Sequence, residues 1–235
     1  MMIRESAYQH KYIENNINYD FEDMNFVYGI SLFKNYISNP NTFLNKVLFT
    51  IRNKLFKEVI KEINPDDKIL QIGLSYGSQI PKMSKMLSNN GYIDIAGIAP
   101  DVLKRIKPLI SPCSNVYVTF KDADKPPLNK YDKIVCFFML YKSDDKQKSK
   151  IINALLQRLD VGGKLIFVDY HNPSKFNLFK FFMYIKNKLW HENALSLWKN
   201  QIVSFANFDE KSQFIWEKET YFGSLYQKVT VTKKN

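Results

Sequence analysis

From residue 65 onward, short apolar runs alternate with stretches whose apolar positions recur at helical spacing. That alternation predicts βαβ units around a mainly parallel sheet. Strands are expected near 68–74, 92–98, 116–120, 131–138, 163–170, 213–221 and 225–232. Helices are expected over 79–88, 101–109 and 144–159, with a longer helical region across 174–206. The segment "YDKIVCFF" (131–138) is apolar nearly throughout, as a strand covered on both faces must be. "FIWEKETYFGSLYQKVTVT" instead carries Gly223-Ser224 between two β-rich runs. This is a hairpin signal, so the sheet is expected to end in an antiparallel edge.

Ahead of the alternating region, "FLNKVLFTIRNKLFKEVIKEI" has a clear amphipathic period that Pro65-Asp66-Asp67 breaks. The expected organisation is a helical cap, 1–60, packed on the core, and one α/β domain, 61–235, with a helical lid insertion near 174–206. A chain of 235 residues can hold one large core of this kind. No run approaches the roughly 20 apolar residues that cross a bilayer. The N-terminus mixes acids with bases, unlike a signal or transit peptide. The expected location is intracellular, cytoplasmic or peripheral on the inner membrane face, without a secretion signal. Cys113 and Cys136 have no metal-binding spacing, and Cys136, inside "KIVCFFML", reads as a reduced core thiol.

The formal net charge of +11 adds an expectation about partners. It favours something anionic, nucleic acid or a phospholipid surface, with general solubility as the bland alternative. Lysine dominates over arginine and no compact arginine-rich tract occurs, which tells against nucleic acid, where bidentate contacts prefer arginine. In "SKFNLFKFFMYIKNKLWHENALSLW" (174–198), Phe176, Phe179, Phe181, Phe182, Tyr184 and Ile185 cannot share one helical face. Lys175, Lys180, Lys186 and Lys188 lie among them. Two readings stay open: a lid that dips into an anionic membrane interface with its lysines snorkelling, or a helix buried between the sheet and the N-terminal segment.

In "LQIGLSYG" (70–77), Gly73 and Gly77 let backbone approach a ligand closely, and a helix starting near Ser78-Gln79 offers N–H groups to a carboxylate or phosphate. A tight structural turn would look the same. In "VDYHNP", Asp169 and His171 fall on one side of a continuing strand. A carboxylate and an imidazole at a strand's end can bind a metal or move a proton; the alternative is a hydrogen-bonded terminus stopped by Pro173. Trp190, Trp198 and Trp216 read as packing residues, and the sequence identifies no partner for His10 or His191.

The ordered set "LQIGLSYG", "FKDADKPPL" (120–128), "YDKIVCFFML" (131–140) and "LLQRLDVGGKLIFVDYHNP" (155–173) resembles the class I S-adenosylmethionine-dependent methyltransferases over about residues 55–235. The resemblance implies a Rossmann-like, seven-stranded, mostly parallel sheet with an antiparallel last strand, and ligands at the carboxyl ends of the strands. It implies S-adenosylmethionine as cofactor, held by Gln71, Gly73, Tyr76, Gly77, Ile98, Asp122, Ala123 and Phe138. Asp160-Val161-Gly162-Gly163 is then the turn into the fifth strand. Gln71 stands where the family has a carboxylate, and Gly97 where it has the acid that meets the ribose hydroxyls, with Asp101 close behind as a substitute.

Gln71, "FVDYHNP" (167–173) and "HENALSLWKNQI" (191–202) together resemble a narrower group, the rhodoquinone-biosynthesis branch (RquA). That resemblance implies conversion of ubiquinone to rhodoquinone, with S-adenosylmethionine as amino donor and a divalent metal, manganese, assisting. It implies a membrane quinone as substrate and an anionic membrane surface as partner. Asp169, His171 and Tyr141 are the catalytic candidates, and Asp169 and His171 also the metal candidates. The branch's histidine-acid pair after the fourth strand is Tyr141-Lys142 here. Two rival readings are a conventional methyltransferase for a small molecule or RNA, and a non-catalytic S-adenosylmethionine-binding protein.

Overall fold

The computed structural model describes residues 43–73, 79–207 and 211–234. Its strands are β1 (Lys68–Ile72), β2 (Tyr92–Ala96), β3 (Val116–Val118), β4 (Tyr131–Phe137), β5 (Leu159–Tyr170), β6 (Phe214–Tyr221) and β7 (Tyr226–Lys233). They form one seven-stranded sheet in the order β3-β2-β1-β4-β5-β7-β6. The first five run parallel; β7 enters antiparallel beside β5, and β6 pairs antiparallel with β7 at the edge. The strand order reverses between β1 and β4, so the crevice expected of such sheets opens at the carboxyl ends of these two strands.

Burial explains why each run became the strand it did. Ile69, Leu70, Ile72, Ile134, Val135, Cys136 and Phe137 are all buried, as central parallel strands covered by helices require. At the edge, β6 turns Glu217, Lys218 and Glu219 outward, charges that discourage pairing with another chain. The buried ends of the sheet are tied by polar pairs. The Tyr131 hydroxyl donates to Asp94 Oδ2 at 2.8 Å, and Lys133 meets Asp67 at 3.4 Å.

The helices are α1 (Phe43–Ile60), α2 (Gln79–Met86), α3 (Pro100–Ile110), α4 (Asp145–Leu156), α5 (Lys180–Trp190) and the single turn α6 (Ser196–Lys199). In α1, Leu55, Phe56 and Val59 enter the core, and Phe56 meets Phe137 edge to face at 6.4 Å. Helix α3 starts on Pro100, whose fixed φ suits a first turn. Helix α4 is capped by Asp144, whose carboxylate accepts from Gln147 N at 2.7 Å. The expected cap 1–60 lies outside the described residues up to residue 42.

Several boundaries differ from the sequence pattern. Strand β5 begins at Leu159, not near 163, because Leu159 pairs with Tyr131 before a register shift that leads to Lys133 opposite Lys164. The expected turn Asp160-Val161-Gly162-Gly163 is therefore an irregularity inside the strand, with Gly162 at φ 73°. Strand β3 stops at Val118, sooner than the run to 120 suggests. The region 174–206 is not continuous helix. Helix α5 gives way to 3-10 turns at Glu192–Leu195 and Ile202–Phe205, with α6 between them.

Lys148 fastens this broken region to α4. Its side chain is fully buried, donates to Asp145 Oδ1 at 2.9 Å and to the Asn193 carbonyl at 2.8 Å, and lies over the Phe205 ring. Lys148→Met keeps the apolar stem but leaves the Asn193 carbonyl without that donor. A loss of about 1–3 kcal/mol is expected from an unmet buried acceptor. Urea unfolding measures it, and an unchanged midpoint contradicts it.

Candidate functional site

Loops after β1, β2 and β3 converge at the carboxyl end of the sheet. Gly73 follows β1 at φ 73° and Gly97 follows β2 at φ 69°, the left-handed region that favours glycine. Gly73 N donates to the Ala96 carbonyl at 2.9 Å, and Gly97 N donates to the Lys121 carbonyl at 2.7 Å. A Cβ on Gly73 would sit 3.1 Å from Met139 Sδ; one on Gly97 would sit 3.4 Å from Ala123 Cβ and 3.5 Å from Gly73 N. Gly73 and Ala123, expected at the cofactor site from two separate motifs, thus lie close to Gly97, where the family's acid is missing. Met139 stands against Gly73, and nothing in the sequence pattern singled that residue out.

Gln71 is wholly buried, and its Nε2 donates to the Ile72 carbonyl at 3.1 Å, beside the glycine turn. Its Oε1 has no hydrogen-bond partner among the described residues, and the same holds for Oε1 of Gln79, buried at the start of α2. Two buried amide acceptors therefore stand on either side of residues 74–78 in the sequence. A buried acceptor without a donor is costly, and a ligand ammonium or hydroxyl relieves it. Gln79 was missed from sequence, although its place at a helix start after a glycine turn is a usable signal.

Tyr76 and Gly77 lie outside the described residues. Ile98 is half-buried against the core, and Asp122 is exposed. Asp101 lies 3.6 Å from Arg105, one helical turn on, in an exposed pair on α3.

An aromatic wall rises on the β5 side. Phe138, directly after β4, holds φ 52°, a strained value for an aromatic residue, and donates its N–H to the Val168 carbonyl at 2.7 Å. Its ring packs against Tyr170 at 5.6 Å and Tyr226 at 5.5 Å, with the Arg52 guanidinium 5.9 Å from its centroid. Tyr141 packs edge-on to both Tyr170 and His191, each at 5.0 Å. His191, partnerless in the sequence, belongs to this wall. His10 lies outside the described residues.

Asp169 and His171 are engaged separately. The Asp169 carboxylate is buried and accepts from Tyr141 N at 3.2 Å and Tyr170 N at 2.8 Å. Burial pushes its pKa up to about 7, against the lowering effect of the backbone N–H groups of Tyr170, Tyr141 and Leu140 and the charge of Lys148. Burial and the Asp169 charge both push the neighbouring Cys136 thiol up, and both cysteines are free and buried. His171 is half-buried, with Nδ1 3.1 Å from the Ser224 carbonyl. Burial lowers its pKa, the Ser224 carbonyl opposes that, and Lys218 adds to it. A carbonyl only accepts, so in the neutral ring Nδ1–H donates and Nε2 is left as the basic nitrogen. Among the described residues no three or more His, Cys, Asp and Glu side chains gather as a metal site.

Comparison with solved structures fixes the architecture. The N-methyltransferase NodS from Bradyrhizobium japonicum WM9 aligns with a TM-score of 0.58, at 12% identity, over 81% of this chain and 98% of that one. The fold is that of the class I methyltransferases. Magnesium protoporphyrin IX methyltransferase (ChlM) from Synechocystis PCC 6803, solved with bound S-adenosylhomocysteine, aligns at 0.55 and 12% identity over 82% of this chain and 88% of that one. A SAM-dependent methyltransferase from Aquifex aeolicus aligns at 0.54 and 17% identity over 78% and 97%. In sequence, the chain is 23% identical over 147 residues to the ubiquinone/menaquinone biosynthesis C-methyltransferase UbiE of Wigglesworthia glossinidia brevipalpis, covering 59% of this chain and 58% of that protein. The chain thus matches little more than half the length of that relative. No family model matches it. Among the described residues no helix is long and apolar enough to cross a membrane.

Proposed function

We propose that this chain is an S-adenosylmethionine-dependent transferase acting on a membrane quinone, with amino transfer that converts ubiquinone to rhodoquinone as its reaction. The pair of buried amide oxygens at Gln71 and Gln79, before and after the segment 74–78 in a class I methyltransferase fold, carries the cofactor reading. Both are acceptors, and an α-ammonium is the donor that suits them. Gly73, Gly97 and Ala123 approach one another closely, with Met139 against Gly73, so larger side chains there would disturb the turn. S-adenosylmethionine, when bound, supplies the group to be transferred.

Likeness to a quinone C-methyltransferase supports the choice of acceptor. The rings of Phe138, Tyr141, Tyr170 and Tyr226 are buried against one another and form the packed backing of this end of the sheet. In this reading Nε2 of His171 accepts a proton from the acceptor side, while Asp169 holds the Leu140–Lys142 turn and so positions Tyr141. The same likeness to UbiE favours a second reading, ordinary methyl transfer to a quinone.

Incubation with S-adenosylmethionine and a short-chain ubiquinone, with and without manganese, separates the two by mass spectrometry of the quinone. An amino-bearing quinone supports the first reading and a methylated quinone the second. An unaltered quinone with intact cofactor binding supports a non-catalytic protein. His171→Ala is expected to abolish transfer and leave cofactor affinity nearly unchanged; parental turnover in this variant would remove His171 from the mechanism.

A further inference from the structure

Between Tyr170 and Glu192 the chain carries four lysines and no aspartate or glutamate. Within that stretch Phe176 is 95% exposed, Leu178 94% and Phe181 73%, with Phe179 and Tyr184 also exposed. Five apolar side chains at such exposure between positions 176 and 184 are unusual on a folded surface and mark a contact site. Lys175 and Lys188 are exposed beside them and Lys180 is half-exposed. The segment is held in place. Asn177 Nδ2 donates to the carbonyls of Phe222 and Gly223 at 3.0 Å each, its Oδ1 accepts from Phe179 N at 2.9 Å, and Met183 is buried beneath. The patch is thus fixed to the β6–β7 turn, beside the carboxyl end of β5.

We infer that residues 175–188 form a membrane-docking surface whose occupant is the face of an anionic phospholipid bilayer. Aromatic and leucine side chains partition into the headgroup region, and lysines on flexible stems reach the phosphates around them. The charge decides among occupants. Four lysines without a counter-acid repel a second copy of the same surface, whereas an anionic leaflet neutralises them. The inference rests on exposure and charge, and it stands apart from the reaction proposed above, because docking needs neither cofactor nor quinone.

Co-sedimentation of the full chain with vesicles of phosphatidylcholine alone, and of phosphatidylcholine with phosphatidylglycerol, tests it. Binding is expected to the anionic vesicles, weakening as salt shortens the screening length from about 8 Å at physiological ionic strength. Phe176→Ser with Phe181→Ser is expected to weaken binding about tenfold or more. Its melting temperature should stay unchanged, because both side chains stand in solvent. Lys175→Glu with Lys180→Glu should remove both the anionic preference and the salt dependence. No partition onto anionic vesicles would overturn the inference, as would partition that the Phe176 and Phe181 changes leave intact. A concentration-dependent dimer lost in that variant would assign the patch to a second copy and overturn it equally.

Discussion

Gly73→Val is expected to weaken S-adenosylmethionine binding by well over tenfold. The residue sits at φ 73°, where a β-branched side chain is strained, and even its first carbon would press to 3.1 Å of Met139 Sδ. The turn must therefore move, and with it the Gly73 N–H that ties β1 to Ala96 and the close approach to Gly97. Isothermal calorimetry reads the affinity, and circular dichroism checks that the sheet remains. A folded variant that binds like the parent would detach the cofactor from this turn. Gly97→Ala is also strained at φ 69°, but alanine is not β-branched and its added carbon meets Ala123 at 3.4 Å, so a smaller effect is expected there.

The second large effect is on stability. Asp169→Ala removes the acceptor for the backbone N–H groups of Tyr141 and Tyr170, both in the buried end of the sheet. Each unmet buried donor costs about 1–3 kcal/mol, so a loss of about 3 kcal/mol is expected at pH 5. The difference from the parent depends on pH. In the unfolded chain this carboxyl titrates near about 3.9, whereas in the folded chain burial raises it to about 7. The folded state holds the proton more tightly, so the group's contribution is fully present below about pH 4 and is lost as pH rises through about 7. The gap between parent and variant should shrink across that window, by at most about 1.4 kcal/mol per pH unit. Chemical denaturation at pH 5 and pH 8 measures it; a constant gap would mean that Asp169 is ionised throughout.

These two residues also bear on how the proposed activity is arranged. In the proposed reading Gly73 lies under the cofactor and His171 serves the acceptor side. The Asp169 carboxylate is turned inward to the backbone donors of Tyr141 and Tyr170, so in that reading it positions Tyr141.

Local pattern determined the strands and their order of succession. The nearly all-apolar "YDKIVCFF" suits a strand covered on both faces, and Gly223-Ser224 between two β-rich runs suits an antiparallel edge, so β4 and the β6–β7 pair were legible from periodicity. The glycines were legible too, because a left-handed turn after a strand leaves few other choices. Side-chain alternation put Asp169 and His171 on one side of β5, but alternation says nothing about partners. Only the tertiary structure decided that Asp169 faces the 140–141 turn and His171 the Ser224 carbonyl, since both partners arrive from other parts of the chain. The fate of 174–198 was likewise undecidable from composition, because an apolar stretch is equally consistent with a core and with a docking surface. Pinning by Asn177 to the β6–β7 turn leaves Phe176, Leu178 and Phe181 in solvent while Met183 points inward, a division set by long-range contacts that local sequence does not encode.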